Sequence, residues 1–244
     1  MPIVPTRRQI LIASSLLVTA PIFSRLARAA ESQTSHLKIG FIGSGQVGTT
    51  LAGFWVRSGH PVMLSARNLT EAQSAAAILG ANASAGTPQQ AATFADIIVL
   101  AVPYGALPSV AKDLGATVAE KILLDTTNPY PWRDGSLAIE ATRDGAGPVT
   151  ARYFPQARLV RGFNSIAMTA LRAEARETPP IAIPLASDDQ SALATISTLT
   201  REAGFEPVIT GDLATAKLFQ PGNPGFEAVT TATALRAQLG LNRT

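Results

Sequence analysis

Apolar residues in this chain fall into short unbroken runs, separated by longer stretches where they recur every three or four positions. The runs "LKIGFIG" (37–43), "PVMLSA" (61–66), "DIIVLAVP" (96–103), "KILLDTTNP" (121–129), "ARLVRGFNS" (157–165), "PPIAIPLASDD" (179–189) and "FEPVIT" (205–210) predict strands. Between them, helical spacing is found at 46–59, 70–80, 87–95, 106–115, 149–156, 166–175 and 191–204, with a last helix ending near Gly240 after the turn 220–225. Thr70 reads as an N-cap and Gly80 as a stop. A polar loop follows Gly80, and 130–148, which holds Pro, Gly, Asp and Trp132, reads as a long irregular loop. Strands alternating with helices make βαβ units, and runs without polar alternation describe a sheet covered on both faces. The fold class expected is α/β, a doubly wound parallel sheet forming a single domain over 37–244.

The first thirty residues break this rhythm. Arg7 and Arg8 precede an apolar stretch of about 14 residues at 10–23, short of the ~20 that span a bilayer. Ala27 and Ala29 then form an Ala-x-Ala end. A charged start, a short apolar middle and small residues at the end describe a secretory signal over 1–29, cut after Ala29. The adjacent arginines in "TRRQILI" match the twin-arginine type, which implies the twin-arginine export machinery as a partner and a periplasmic or otherwise exported mature protein.

Composition narrows the function classes. The net charge of +3 comes from Arg7, Arg8, Arg25 and Arg28, since residues 31–244 hold 16 basic and 17 acidic side chains. Nucleic acid is therefore not an expected partner. The absence of cysteine excludes disulfides, zinc-thiolate sites, iron–sulfur clusters and a thiol nucleophile. No stable membrane span and no metal-ligand cluster are expected.

The chemistry lies in "GSGQVG". Gly43, Ser44, Gly45, Gln46, Val47 and Gly48 make G-x-G-x-x-G directly after a strand and at the opening of a helix, the context of a dinucleotide-binding turn. Gly43 allows the tight turn, Gly45 lets the backbone approach a diphosphate, and Gly48 lets helix and strand pack. The helix start then offers free N–H groups to the phosphates. A site for the unphosphorylated dinucleotide carries an acid at the end of the second strand. Here that place reads Ser65, Arg67, Asn68, with no acid before Glu71. A guanidinium binds a 2′-phosphate where a carboxylate repels it, so NADP is the expected cofactor. Later strand ends bring Ala101, Val102, Pro103, Asn128 and Asn164 to the same crevice. The two asparagines could bind ribose or the nicotinamide carboxamide, or serve as turn formers.

The stretches "IGFIGSGQVGTTLAGFWVRSGHPVMLSARN", "ADIIVLAVPY", "LLDTTNPY" and "ARLVRGFNSI" resemble the NADP oxidoreductases that depend on the deazaflavin coenzyme F-420, and the nucleotide half of the six-transmembrane metalloreductases is similar. The resemblance covers most of residues 37–220 and implies a Rossmann fold. It implies that Ser65, Arg67 and Asn68 hold the 2′-phosphate and that Val102 and Pro103 flank the nicotinamide. The activity it implies is hydride transfer between NADP(H) and a deazaflavin, a flavin or a similar small-molecule redox partner, by an enzyme of a kind that often forms homodimers.

The thin supply of acid–base groups agrees with hydride exchange between two rings, which needs alignment more than proton transfer. His60 lies in the "SGHP" turn and reads as structural, Lys112 as solvated, and no group is assigned as catalytic. The same sparseness suits a non-catalytic NADP-binding redox sensor. About 33 residues follow Gly211, too few for the helical domain of pyrroline-5-carboxylate or 6-phosphogluconate-type enzymes. An exported NADP enzyme must keep its nucleotide, and the 130–148 loop, with Tyr130 and Trp132, is expected to close over it.

Overall fold

The computed structural model describes residues 36–241, and the leader expected over 1–29 lies outside them. The first strand, β1 (Ile39–Ile42), is buried along its whole length because both faces of the sheet are covered. It runs through the glycine turn into α1 (Gln46–Arg57), then β2 (Val62–Ser65), α2 (Leu69–Leu79), β3 (Ala83–Gly86), α3 (Pro88–Phe94) and β4 (Ile97–Leu100). The second half continues with α4 (Leu107–Leu114), β5 (Ile122–Asp125), α5 (Pro131–Asp144), α6 (Ala146–Tyr153), β6 (Arg158–Arg161) and α7 (Met168–Ala173). It ends with β7 (Ala182–Ala186), α8 (Gln190–Glu202), β8 (Glu206–Gly211), a 3-10 turn at Leu213–Phe219 and α9 (Ala232–Gln238).

Eight strands form one sheet in the order β3-β2-β1-β4-β5-β6-β7-β8. The period of two is visible in the core. Phe41, Val99 and Leu124 enter one layer with Leu51 and Trp55 of α1 and Leu193 and Ile196 of α8. Ile42, Ile98, Leu100 and Leu123 enter the other with Ala91 of α3, Leu107 of α4 and Val149 of α6. The buried Trp55 indole N–H donates to the Leu199 carbonyl at 2.9 Å, tying α1 to α8. No helix among the described residues is long and apolar enough to cross a membrane.

The doubly wound sheet is as expected, with one departure from all-parallel. β1 to β6 are parallel, β7 meets β6 antiparallel through Arg161 and Ala186, and β8 runs parallel to β7. The six-residue α7 is only about 9 Å long, so the β6–β7 connection supplies no full crossover helix, and the chain re-enters the sheet at the same strand end from which β6 leaves it.

Three local expectations are corrected. The polar loop after Gly80 contains β3, whose "ASAG" has no apolar run; as an edge strand it has a single neighbour, β2. Helix α2 begins earlier than Thr70, because the Asn68 side chain caps it by accepting from the Thr70 N–H at 3.0 Å. The 130–148 segment is not an irregular loop but α5 and the start of α6. Pro131 stands at the first helical position, where its missing N–H costs nothing; Gly135 (φ 62°) kinks α5 without ending it, and Gly145 (φ 96°) caps α5 and leads directly into α6. The expected closing loop is thus a kinked helix braced beneath. Gln220 accepts from the Ala146 N–H at 2.9 Å and donates to the carbonyls of Ala141 and Thr142.

Candidate functional site

The chain winds outward in both directions from the β1–β4 pair, which leaves a crevice at the C-terminal ends of these strands. A cleft of about 400 Å³ occupies it. Gly45, Gln46 and Val47 form one wall, and Ala101, Val102 and Pro103 follow from β4. Thr126, Thr127 and Asn128 come from the end of β5, Phe163 and Asn164 from the end of β6.

The three glycines of the turn have separate physical reasons. Gly43 has φ +114°, and a Cβ there would lie 2.2 Å from the Ala101 carbonyl oxygen. Gly48 is helical, but a Cβ on it would lie 2.2 Å from the Gly43 oxygen. Gly45 has neither constraint: its φ of −72° and ψ of −168° suit any residue, and a Cβ would meet nothing within 4 Å. Nothing inside the protein requires glycine there. The open space lies over the start of α1, whose N-cap carries no side-chain hydrogen bond and whose first turn has no acid. That is the environment of an anion held on backbone N–H groups. Ser44, half-buried, completes the turn without lining the cleft.

The end of β2 lies beside this turn, since Ser65 pairs with Ile42 and its carbonyl accepts from the Gly43 N–H at 3.0 Å. Arg67 and Asn68 are exposed just beyond it, and Arg67 has no ion pair among the described residues. Ser65 departs from its expected role. It is fully buried, with its hydroxyl donating to the Phe41 carbonyl at 2.6 Å, so it fastens β2 to β1 and presents no oxygen to a phosphate. Asn68 keeps an exposed side chain, but its Oδ1 already caps α2.

On the far wall the two asparagines are joined. Asn128 Nδ2 donates to the Asn164 backbone oxygen at 2.6 Å, and Asn164 Nδ2 donates to Asn128 Oδ1 at 3.2 Å and to the Phe219 carbonyl at 3.1 Å. Asn164 Oδ1 is buried and has no donor among the described residues. Both residues line the cleft, so the turn-former and ligand readings merge into a braced amide pair with one acceptor left over.

Below Thr126 and Thr127 lies a buried ionic network absent from the sequence expectations. Asp125 Oδ2 accepts from Arg161 Nη1 at 2.5 Å and from Thr150 Oγ1 at 2.9 Å. Asp125 Oδ1 takes the Thr127 N–H and hydroxyl at 2.9 and 2.6 Å, and Arg161 Nη2 donates to the Thr127 carbonyl at 2.8 Å. Both charged side chains are wholly inaccessible. Tyr104 extends the network, with its hydroxyl donating to the Ala146 carbonyl at 3.1 Å; burial pushes its phenol well above the ordinary range. The available signal was the interruption of two apolar strands, "LLD" and "LVR", by opposite charges at matching ends.

The remaining wall includes Tyr130, expected to close over the nucleotide, together with Met168, Arg133, Phe226 and Glu227, to which the sequence had given no binding role. Tyr130 stacks on Trp132 with ring centroids 5.9 Å apart, while Trp132 itself is 82% exposed. Burial, and then the charge of Glu227, raise the Tyr130 phenol above its usual range. His60 is structural, as expected: buried, with Nε2 2.8 Å from Glu202 and Nδ1 3.0 Å from the Leu37 carbonyl. Lys112 is exposed. No group of three His, Cys, Asp or Glu among the described residues could hold a metal ion.

Fold and site together define a Rossmann-type α/β protein with a dinucleotide turn at its switch point. Residues 38–129 match the family model "NADP oxidoreductase coenzyme F420-dependent", and the likeness read from the motifs holds. The chain is 30% identical over 191 residues to the metalloreductase STEAP3 of Rattus norvegicus, covering 77% of this chain and 36% of that protein. It therefore spans about a third of that relative's length. It is 28% identical over 202 residues to the F420-dependent NADP reductase of Methanothermobacter thermautotrophicus, covering 77% of this chain and 87% of the other. Among solved structures, a putative F420-dependent NADP reductase from Arthrobacter sp. FB24 superposes with a TM-score of 0.63 at 23% identity, over 74% of this chain and 87% of that one. A hypothetical protein from Sinorhizobium meliloti, SMa0349, gives 0.65 at 22%, over 85% and 98%. These two likenesses establish the fold.

Proposed function

We propose that the chain is an NADP-dependent oxidoreductase that passes hydride between NADP(H) and a flavin, deazaflavin or similar ring partner. The observation that carries this reading is the juxtaposition, across the β1–β2 ends, of an unconstrained Gly45 with an exposed Arg67 that has no ion pair among the described residues. Gly45 leaves room for a diphosphate on the start of α1, and Arg67 stands where an acid would exclude a 2′-phosphate. The residues present fit the cofactor. The turn from Gly43 to Gly48 would hold the diphosphate, Arg67 with Asn68 the 2′-phosphate, and Asn128 with Asn164 the carboxamide side, the leftover Asn164 Oδ1 being an acceptor for an amide N–H. When bound, NADPH supplies a hydride from its reduced ring. Val102 and Pro103 support that end of the cleft, and the buried Asp125–Arg161 pair holds the Thr127 backbone and hydroxyl in place under it.

A non-catalytic NADP-binding sensor is the second reading. It is favoured by the cleft's short supply of titratable groups, which are Tyr130, Arg133 and Glu227. Export by the twin-arginine route with the nucleotide already seated belongs to the same proposal. With association near 10⁶ M⁻¹s⁻¹, retention for most of a day needs a Kd of about 10⁻¹¹ M. Protein recovered after export is expected to carry absorbance at 260 and 340 nm. A homodimer is also part of the proposal.

The decisive experiment is calorimetric titration of wild type and Arg67→Asp with NADP⁺ and NAD⁺. Wild type should prefer NADP⁺, and the variant should lose about tenfold to hundredfold of that preference, the range of one charge-assisted phosphate contact. An unchanged ratio overturns the NADP assignment. NADPH oxidation on adding riboflavin or a deazaflavin separates enzyme from sensor.

A further inference from the structure

The cleft continues past the amide pair into a second wall whose charge is lopsided. Of all its lining residues only Arg133 and Glu227 are charged. Arg133 is already matched. Its Nε and Nη2 meet the two oxygens of Asp134 at 3.0 and 2.8 Å, and Nη2 also donates to the Asn128 carbonyl at 2.8 Å. Asp134 is fixed in turn by the N–H groups of Gly105 and Tyr130. Glu227 is exposed and enters no ion pair or side-chain hydrogen bond among the described residues.

Glu227 is nonetheless held in place. Its φ is +56°, a left-handed conformation that a side chain adopts at a cost, and its N–H donates to the Ser165 carbonyl at 2.7 Å. Phe163, at φ +60°, is strained on the same cleft, so two of the four left-handed non-glycine residues among the described residues gather there. Strain at a ligand cleft, maintained by the surrounding fold, places a side chain where relaxed backbone would not. The rest of this wall is flat and apolar: Tyr130, backed by Trp132, with Phe226 and Met168.

Resting on the reading of this cleft as an NADP oxidoreductase site, we infer that its second ligand is an uncharged planar ring bearing an edge N–H or O–H, which stacks against Tyr130 and donates to the Glu227 carboxylate, and that ring compounds carrying a phosphate tail are disfavoured. Among the described residues, the one charge in this half of the cleft without an ion pair is negative. It attracts a hydrogen-bond donor and repels an anion through solvent, an effect strongest at low ionic strength. Burial, and then the charge of Glu227, raise the Tyr130 phenol above its ordinary range.

The experiment uses full-length protein saturated with NADP⁺ and two probes that share one ring, riboflavin and flavin mononucleotide, followed by quenching of flavin fluorescence. Riboflavin should bind about tenfold more tightly than flavin mononucleotide in low-salt buffer, with the gap narrowing as salt is added. Glu227→Gln keeps shape and exposure while removing the charge, and should shrink the gap to about threefold or less. A mononucleotide that binds as well as or better than riboflavin, a ratio unmoved by Glu227→Gln, or no flavin binding despite bound NADP⁺ each overturns the inference while leaving the NADP assignment standing. Absence of NADP⁺ binding, read separately by calorimetry, overturns both.

Discussion

Asp125 and Arg161 stand at the C-terminal ends of adjacent strands β5 and β6 and meet at 2.5 Å with both side chains wholly buried. The pair is satisfied on most sides by Thr127, Thr150 and the Thr127 carbonyl, although Arg161 Nε has no acceptor among the described residues. Arg161→Met is expected to cost about 3–5 kcal/mol of stability, because it leaves a carboxylate buried and unmatched. Arg161→Met with Asp125→Asn should recover part of that loss. Urea unfolding of both variants checks this, and a double variant less stable than the single would contradict it.

The turn glycines should separate in their effects. Gly45→Ala places its Cβ in open space and should change unfolding free energy by no more than about 0.5 kcal/mol, while weakening NADP⁺ binding about tenfold or more. Gly48→Ala drives a Cβ into the Gly43 carbonyl and should cost about 1–3 kcal/mol of stability. Parallel thermal unfolding and calorimetric binding distinguish the two.

The amide pair is expected to act as one unit. Asn164→Ala removes the donor to the Phe219 carbonyl and should cost about 1–3 kcal/mol. Combined with Asn128→Ala, a double-mutant cycle should give a coupling of about 0.5 kcal/mol or more, in stability and in NADP⁺ affinity alike. Strictly additive effects would show that the two contacts are independent.

Acid should loosen the start of α5. Burial works against the Asp134 charge, but hydrogen bonds from Arg133 and from the Gly105 and Tyr130 N–H groups outweigh it and hold the carboxyl below the ordinary value of 3.8. A depressed folded value contributes stability that is fully present above the unfolded pKa and lost as pH falls through the folded one. Wild type should therefore lose stability on going from pH 5 to pH 3, and Asp134→Asn should show a shallower fall over that window. Chemical denaturation at the two pH values measures the difference.

Much of this was legible because local rules and the fold agreed. The apolar runs of β1, β4 and β5 need no partner to be recognised, since residues buried on both faces are apolar at every position. "GSGQVG" carries its own backbone geometry, and the missing acid before Glu71 is a one-dimensional fact. Where the reading failed, a local signal competed with a distant contact. Pro131 and Gly135 suggest a loop until α5 is seen as a kinked helix, followed at once by α6, whose first N–H is taken by Gln220, 74 residues further on. Ser65 looked like a phosphate ligand until β2 lay against β1 and its hydroxyl found the Phe41 carbonyl.

The sequence by itself determined the alternation of strands and helices, the diphosphate turn and the cationic end of β2, because each depends on residues within a few positions of one another. Only the tertiary structure decided that Asp125 meets Arg161, that Asn128 locks to Asn164, and that Glu227 shares the cleft with an Arg133 already paired to Asp134. Asp125 and Arg161, like Asn128 and Asn164, lie 36 residues apart, and no periodicity records which strand ends and turns the sheet will bring face to face.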